Sequence, residues 1–342
     1  MSKRNRLVAI FALLLAAVAL YVFRDRIRFD WAVFFHQLRF VDPWHLLLGV
    51  AIIHAHFWLR AWRWKIFLYP ARDVKASRLV GPMFVGFTAA SLFGRLADLT
   101  RPYLLAKRVD LPVSTQVAVY TVERMFDLGA AAIVFSSALA LAPAGLPHRE
   151  RYVHVGVLSL AATLAIALFA VFLRIAGARV AGVAGGLAGK ISVRAGAAVE
   201  EKILGFRDGL NAIASVREFV AVLAISVAIW TMIAATYVQV VHAFTHTPEL
   251  AGLSFARTML LFAASLGGSL LQLPIVGWFT QIAVTAASMR EFYGAPVEAA
   301  TACGALLFLV TTLSIVPTGF VFARLESVSV RGAVDESGGK AS

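Results

Sequence analysis

The stretch SLFGRLADLTRPYLLAKR, residues 91–108, decides how this chain is organised. It follows an apolar run and places Arg95, Asp98 and Arg101 at intervals of three. Charged residues at membrane depth are tolerated only where they are buried in protein or line a wet cavity. If the preceding run lies in a membrane, this row of charges must therefore face the interior of the protein.

The composition is that of an integral membrane protein. Of 342 residues, 60% are hydrophobic and 15% are charged, against an apolar content of roughly 45–50% in soluble domains. The net charge of +13 comes from Lys and Arg placed between apolar runs, which predicts membrane lipids, chiefly anionic ones, as partners and argues against nucleic acid. Cys303 is the single cysteine, so neither a disulfide framework nor a thiolate metal site is expected.

The apolar runs predict an all-α, polytopic helix bundle. A span needs about 20 apolar residues, and six runs qualify. Two further runs are short or interrupted by Gly and Pro. The six predicted spans are residues 7–23, 44–67, 116–142, 153–173, 218–241 and 297–322, and the interrupted runs are 79–94 and 258–290.

The distribution of Lys and Arg predicts the topology. Residues 60–78 and 174–217 are rich in both and belong in the cytoplasm, as do both termini. Residues 79–94 then cannot cross, and we predict a re-entrant hairpin that turns near Gly94. Residues 258–290 form either a second hairpin, which we favour, or two short crossings. One broken segment in each half is typical of an inverted repeat.

The predicted domain organisation is simple. Residues 1–322 form one transmembrane domain, in which 95–127 is a charged hairpin and helix and 174–217 is a cytoplasmic amphipathic linker. Residues 323–342 are polar and too few to bury a core, which predicts a disordered cytoplasmic tail.

A second group of charges, Glu123, Arg124 and Asp127, lies inside the predicted span 116–142. At 1.5 Å per residue, Asp127 lies ~16 Å from the start of that helix, close to mid-bilayer. An unpaired charge there costs at least ~2.5 kcal/mol, so pairing with Arg95 and Arg101 is expected. The pairing has two interpretations, which can coexist: a neutral ion network that holds the hairpin, or a site where Arg exchanges carboxylate for phosphate.

Other features support these two groups. Arg60 and Arg63 lie in the sequence RAWRWKIF, which favours anchoring to lipid head groups over an access site for lipid phosphate. Pro274 and Gly277 indicate a helix break, or a backbone opening for substrate. The sequence contains no recognisable catalytic motif, cofactor motif or metal-ligand cluster, so an enzyme is not expected.

Three motifs together resemble a known family. They are Arg95-x-x-Asp98-x-x-Arg101, Glu123-Arg124-x-x-Asp127 and Pro274-x-x-Gly277-x-x-x-Gln281. The pattern resembles the lysylphosphatidylglycerol synthetase transmembrane region, a flippase-like family. The first motif usually has Glu where this chain has Asp98, and the last often ends in Glu where this chain has Gln281. The resemblance implies a translocator of lipids or lipid-linked head groups, here without the soluble aminoacyl transferase domain of some relatives.

The predicted function is to move an anionic phospholipid, or a lipid-linked head group, across the bacterial cytoplasmic membrane. Arg95 and Arg101 would receive phosphate and Arg124 would hold or relay it. Asp98, Glu123 and Asp127 would neutralise the empty site, and Gln281 would donate hydrogen bonds from the opposite hairpin. The alternatives are a secondary transporter of a small anionic solute, a membrane partner of a lipid-modifying or glycosyl transferase, and an integral-membrane transferase.

Overall fold

The computed structural model describes residues 29–141, 149–190, 192–210, 215–269 and 276–338, and within these ranges the chain is helical and contains no strand. The predicted first span, residues 7–23, lies outside them. The first half comprises α1 Trp31–Arg39, α2 Pro43–Leu68, α3 Ser77–Phe93, a 3-10 turn Gly94–Ala97, α4 Thr100–Val109, α5 Val113–Ala140 and α6 Arg149–Gly189.

The second half continues with helices and one π-helical segment. It comprises α7 Val193–Leu210, α8 Val216–His242, α9 Pro248–Ala251, α10 Phe255–Ser269, α11 Val276–Tyr293, α12 Val297–Phe308, a π-helix Leu309–Leu313, α13 Ile315–Leu325 and α14 Val330–Ser337.

The all-helical membrane architecture is confirmed, whereas the predicted number of six spans stays a prediction. Two described helical stretches are long and apolar enough to cross a membrane, Val216–His242 and Val297–Leu325. The pair α1 and α2, bent by 78°, would make a third span if it crosses as one broken segment. Of the other predicted spans, 116–142 and 153–173 coincide with α5 and α6, but α5 carries charges and α6 extends to Gly189, into the predicted linker 174–217.

Local signals set where the main helices begin. Asp42 caps α2 by accepting a hydrogen bond from the Trp44 amide at 2.8 Å, and Pro43 at the first helical position has no amide hydrogen to satisfy. Ser215 and Glu218 form a reciprocal capping box at the start of α8. These caps fix the starts of α2 and α8, which pack against each other.

The first predicted hairpin is formed by α3 and α4, which pack together on either side of the 3-10 turn. Gly94 ends α3 with φ 68° and ψ −153°, a backbone conformation that is essentially restricted to glycine. A Cβ on Gly86 of α3 would lie 2.6 Å from the Cβ of Arg101 on α4. The two helices therefore approach closely, and this brings the charged residues back alongside α3.

The second hairpin is formed by α10 and α11, which also pack together. A Cβ on Gly268 would lie 3.1 Å from the Cα of Gln281. Pro274 lies outside the described residues, between the two helices. The indole N–H of Trp278 on α11 donates to the Ser91 carbonyl on α3 at 3.0 Å, so the two hairpins are in direct contact.

The C-terminal tail differs from the predicted disordered segment. Residues 330–337 form the helix α14, capped by Ser329, and its apolar face is buried against α3 and α4 with Val330 and Ala333 at its centre. Disorder was predicted because residues 323–342 are polar and too few to bury a core by themselves. The hairpin supplies the missing apolar partner, including Val85 and Leu104.

Exposed polar contacts complete the docking of α14 and make it dependent on pH. Glu336 accepts hydrogen bonds from Lys107, at 2.6 Å, and from Tyr103. The bond from Lys107 lowers the pKa of Glu336, and the bond to Glu336 raises the pKa of Lys107 to about 12. Because the pKa of Glu336 is lowered, its contact with Lys107 stabilises docking at pH values above the ordinary pKa of Glu. This stabilisation is lost as the pH falls through the lowered pKa. Because the pKa of Lys107 is raised, the same contact stabilises docking fully at pH values below the ordinary pKa of Lys. This stabilisation is lost as the pH rises through about 12.

We therefore expect hydrogen exchange of residues 330–337 to be slowest, after correction for intrinsic rates, between these limits and to accelerate in acid. Glu336→Gln should remove most of the acid-side change, because the substituted side chain does not titrate. Asp335→Asn, at an exposed position of the same helix, is the matched control and should keep this change. If exchange of residues 330–337 in Glu336→Gln still accelerates in acid as it does in the wild type, the Glu336 contact does not hold this helix in place.

Candidate functional site

A large cavity lies between the two hairpins and the helices α2, α5, α8 and α12. It encloses about 1340 Å³, counting the space at its mouth. Its lining draws on both apolar cores of the protein, with Phe57 and Ile315 from one and Tyr237 and Phe262 from the other. The cavity therefore lies where the two apolar cores meet.

One wall of the cavity is charged. Arg60, Asp98, Arg124 and Asp127 line it. The side chain of Arg124 is 43% exposed, whereas that of Arg60 is 6% exposed. Arg124 is thus the guanidinium of this wall that is most open to a ligand.

A buried ion network supports this wall from behind. Arg63 is fully buried and contacts Asp127 at 2.7 Å and Glu123 at 2.6 Å. Arg101 contacts the other oxygen of Glu123 at 2.6 Å, and Arg124 contacts Asp127 at 3.2 Å. Ion pairs that are buried this deeply fix the geometry of α2, α4 and α5, because removal of one partner leaves an uncompensated charge.

The described charges at this site do not cancel. Four guanidinium groups, those of Arg60, Arg63, Arg101 and Arg124, stand against three carboxylates, those of Asp98, Glu123 and Asp127. The site therefore carries one positive charge in excess, counting the side chains that the structure describes. A low-dielectric cavity with such an excess favours an anion.

Aromatic rings hold the guanidinium planes in place. The Phe87 ring centroid lies 4.8 Å from Cζ of both Arg60 and Arg101, and the Tyr120 centroid lies 5.0 Å from Cζ of both Arg101 and Arg124. A smaller cavity of about 260 Å³ adjoins the main one and is lined by Arg101, Tyr120 and Arg124 among others. The arginines are thus preorganised by stacking as well as by ion pairing.

The opposite wall is uncharged and largely aromatic. It includes Trp230, Tyr237, Phe262, Trp278 and Gln281. The Tyr237 hydroxyl lies 2.9 Å from Oγ of Ser265, which accepts from the Gln281 amide at 3.2 Å. The π-helix adds Thr311 and Thr312 to the lining. Single-turn π-helices often occur at functional sites because they redirect side chains.

The structure brings many of the predicted site residues to one place. Asp98, Arg124, Asp127, Gly277 and Gln281 line the cavity. Arg101 and Glu123 lie in the buried network behind its charged wall. The side chain of Arg95 is not described, and Pro274 lies outside the described residues.

The interpretation of Arg60 and Arg63 as anchors to lipid head groups is wrong. Both are buried, and both pair with carboxylates of α5. The sequence did contain a signal, because residues three apart share a helix face and a buried carboxylate pair on another helix needs such partners. Trp62, which is 60% exposed, lies on the outward face and resembles a membrane anchor, which obscured that signal.

The described residues offer no evident metal site, since no group of three or more His, Cys, Asp or Glu side chains among them is placed to hold an ion. The polar groups of the cavity are instead guanidinium, carboxylate, amide, hydroxyl and indole groups. This set can bind an anion through forked hydrogen bonds and a hydroxylated group through neutral ones.

Comparison with known protein families matches residues 9–319 to the family described as "Lysylphosphatidylglycerol synthase TM region". The match covers most of the chain and includes all three motifs. Neither the curated proteins nor the solved structures gave a significant match.

Proposed function

Because the chain belongs to the lysylphosphatidylglycerol synthase transmembrane-region family, an integral membrane family with a lipid-related role, we propose that it moves an anionic lipid between leaflets. The transported species is a phospholipid or a lipid-linked phosphate head group. The membrane is the bacterial cytoplasmic membrane, with both termini in the cytoplasm. The proposed activity is transport, and no group transfer is required.

One observation carries the proposal: the half-exposed Arg124 stands in a cavity beside Asp127, at 3.2 Å. A guanidinium group binds carboxylate and phosphate through the same forked geometry. Arg124 can therefore leave Asp127 for a lipid phosphate at little cost in hydrogen bonding.

The remaining ion pairs allow Arg124 to leave Asp127 for a phosphate. When Arg124 turns away, Asp127 keeps its contacts with Arg63 at 2.7 Å and Arg60 at 3.6 Å, so its charge stays compensated. Arg60 also lines the cavity and can assist the phosphate. The acyl chains stay in the bilayer, so only the head group needs the polar path.

The test is leaflet exchange of fluorescent phosphatidylglycerol in liposomes containing the purified protein. We expect Arg124→Gln to slow exchange by about 10-fold or more, because a charge-assisted hydrogen bond contributes about 1.5–3 kcal/mol. Arg124→Lys should retain partial activity, since it keeps the charge and loses the fork. Arg290→Gln, which removes an exposed charge on α11, is the control and should exchange at the wild-type rate.

Wild-type exchange in a folded Arg124→Gln variant would contradict the assignment of Arg124. If no labelled lipid exchanges but a small anion crosses in an Arg124-dependent way, the alternative of a solute transporter replaces lipid transport. Labelled phosphatidylethanolamine, which has no net charge, should exchange more slowly than phosphatidylglycerol.

A further inference from the structure

The short helix α1, Trp31–Arg39, carries an aromatic surface that the fold leaves uncovered. None of the nine residues of this helix is buried. Trp31 and Phe35 lie one turn apart on one face, they are 65% and 57% exposed, and their ring centroids are 6.3 Å apart. Phe34 and Leu38 lie on a neighbouring face and pack against the apolar core. The helix is therefore docked by one face and presents an aromatic patch on another.

Both ends of α1 contact the ends of the two described stretches that are long and apolar enough to span a membrane. The amide of Asp30, which caps α1, donates to Oε1 of Glu298 in the first turn of α12, at 3.1 Å. Near the other end of α1, Gln37 accepts from Oγ1 of Thr247, in the turn that follows α8, at 3.2 Å. Helix α1 therefore lies at the level where these two spans end, which is the level of a membrane surface.

The exposed tryptophans of α2 place the same level at the edge of the hydrocarbon. Trp44 and Trp62 are 76% and 60% exposed and are separated by ~27 Å along α2, at a rise of about 1.5 Å per residue. This length is close to the ~30 Å thickness of the hydrocarbon core, at whose two boundaries Trp is enriched. The Asp42 amide, just before α2, donates to the Ala243 carbonyl, just after α8, at 2.9 Å. The start of α2 and the end of α8 therefore share one boundary.

The direction of α1 keeps it along this boundary. Helices α1 and α2 are bent by 78° relative to each other. Spanning helices are tilted by about 20° on average, so α1 stays within roughly 30° of the membrane plane. Its nine residues cover ~14 Å and then change depth by ~7 Å at most, about the thickness of one head-group layer. Helix α1 therefore does not reach the middle of the hydrocarbon.

We propose that α1 is an interfacial helix whose Trp31 and Phe35 side chains insert into the leaflet at the N-terminal end of α2. In the proposed topology this is the non-cytoplasmic leaflet. The partner is a lipid surface and not a protein, because the patch is continuous with the membrane boundary that Trp44 marks. Interfacial helices bury Trp and Phe ~5–10 Å into the boundary between head groups and acyl chains. Arg39 and His36, which are also exposed, remain among phosphates and water.

This inference requires that the chain spans a membrane and does not depend on what the cavity transports. The test is the depth of spin labels on single introduced cysteines in the full chain, reconstituted in vesicles of phosphatidylethanolamine and phosphatidylglycerol. Cys303, the single native cysteine, is buried, so the introduced cysteine is the reactive thiol. Depth is measured from relaxation by oxygen, which partitions into lipid, and by a water-soluble nickel chelate.

We expect labels at Trp31→Cys and Phe35→Cys to lie ~5–10 Å below the lipid phosphates. A label at His36→Cys is the matched control on the same helix and should lie at the phosphates or above them. Ala55→Cys, at an exposed position of α2 between its two exposed tryptophans, is the hydrocarbon reference and should give the greatest depth.

Three results would overturn the inference. A label at Phe35→Cys as deep as that at Ala55→Cys would mean that α1 enters the hydrocarbon as part of a broken span. Equal access of the nickel chelate to Phe35→Cys and His36→Cys would mean that α1 stands in water. Screening of the Phe35→Cys label from both reagents would mean that a protein surface covers the patch.

Discussion

Replacing Glu123 with glutamine is expected to lower the free energy of unfolding by about 3–5 kcal/mol, because two buried guanidinium groups lose their shared counter-charge. Arg63 and Arg101 each place an Nη2 atom 2.6 Å from an oxygen of Glu123. Glutamine keeps the shape of the side chain and removes the charge, so the change isolates electrostatics from packing. The apparent melting temperature in detergent and the yield of folded protein in the membrane should both fall.

The matched control is Glu291→Gln, the same substitution at an exposed position of α11, which should change stability by less than about 0.5 kcal/mol. The double variant Glu123→Gln/Arg101→Gln removes one of the stranded charges and should recover about 0.5–3 kcal/mol of the loss. Wild-type stability in Glu123→Gln would mean that the network does not hold α4 against α5.

Adding one methyl group to the first hairpin, by Gly86→Ala, is expected to have the second large effect on stability and on lipid exchange. A Cβ at Gly86 would lie 2.6 Å from Cβ and 2.8 Å from Cα of Arg101, and a backbone atom cannot move aside as the end of a side chain can. Gly86→Ala should therefore separate α3 from α4, lower stability by about 1–3 kcal/mol and move Arg101 away from Glu123. Lipid exchange should fall to the level of protein-free liposomes.

Gly129→Ala adds the same methyl group to α5, where nothing in the described structure lies within 4 Å of the new atom. This control should raise stability by about 0.5–1 kcal/mol, because alanine is the better helix former. In one melting experiment, Gly86→Ala should therefore lower the apparent melting temperature and Gly129→Ala should raise it. A stability gain in Gly86→Ala would contradict the close packing of the hairpin.

Much of the site could be predicted because charged residues in an apolar segment must pair with oppositely charged residues or face a polar cavity. The position of Asp127 deep in a predicted span demanded cationic partners, and the turn near Gly94 followed from the basic segments on either side. Gln281 was placed at the site only by the resemblance to a family. The structure puts it on the same cavity as Asp127, across from the charged wall.

Other parts could not be predicted because they depend on partners that are distant in sequence. Arg63 lies at the end of an apolar helix among tryptophans, which is also the pattern of a membrane anchor, and only the arrival of α5 makes it a buried counter-ion. The helix α14 is too short to be stable alone, and its apolar partner exists only once α3 and α4 have packed. The uncharged wall has no sequence signature, because its aromatic residues come from separate helices.

The hydrogen bond from Trp278 to the Ser91 carbonyl has a consequence for energetics. A neutral hydrogen bond contributes about 0.5–1.5 kcal/mol, which biases an equilibrium about 2- to 10-fold. Taken alone, this bond therefore adds only a small cost to separating the two hairpins. For the proposed lipid carrier, breaking it needs no nucleotide hydrolysis, and the concentration ratio between the leaflets would set the direction of net flux.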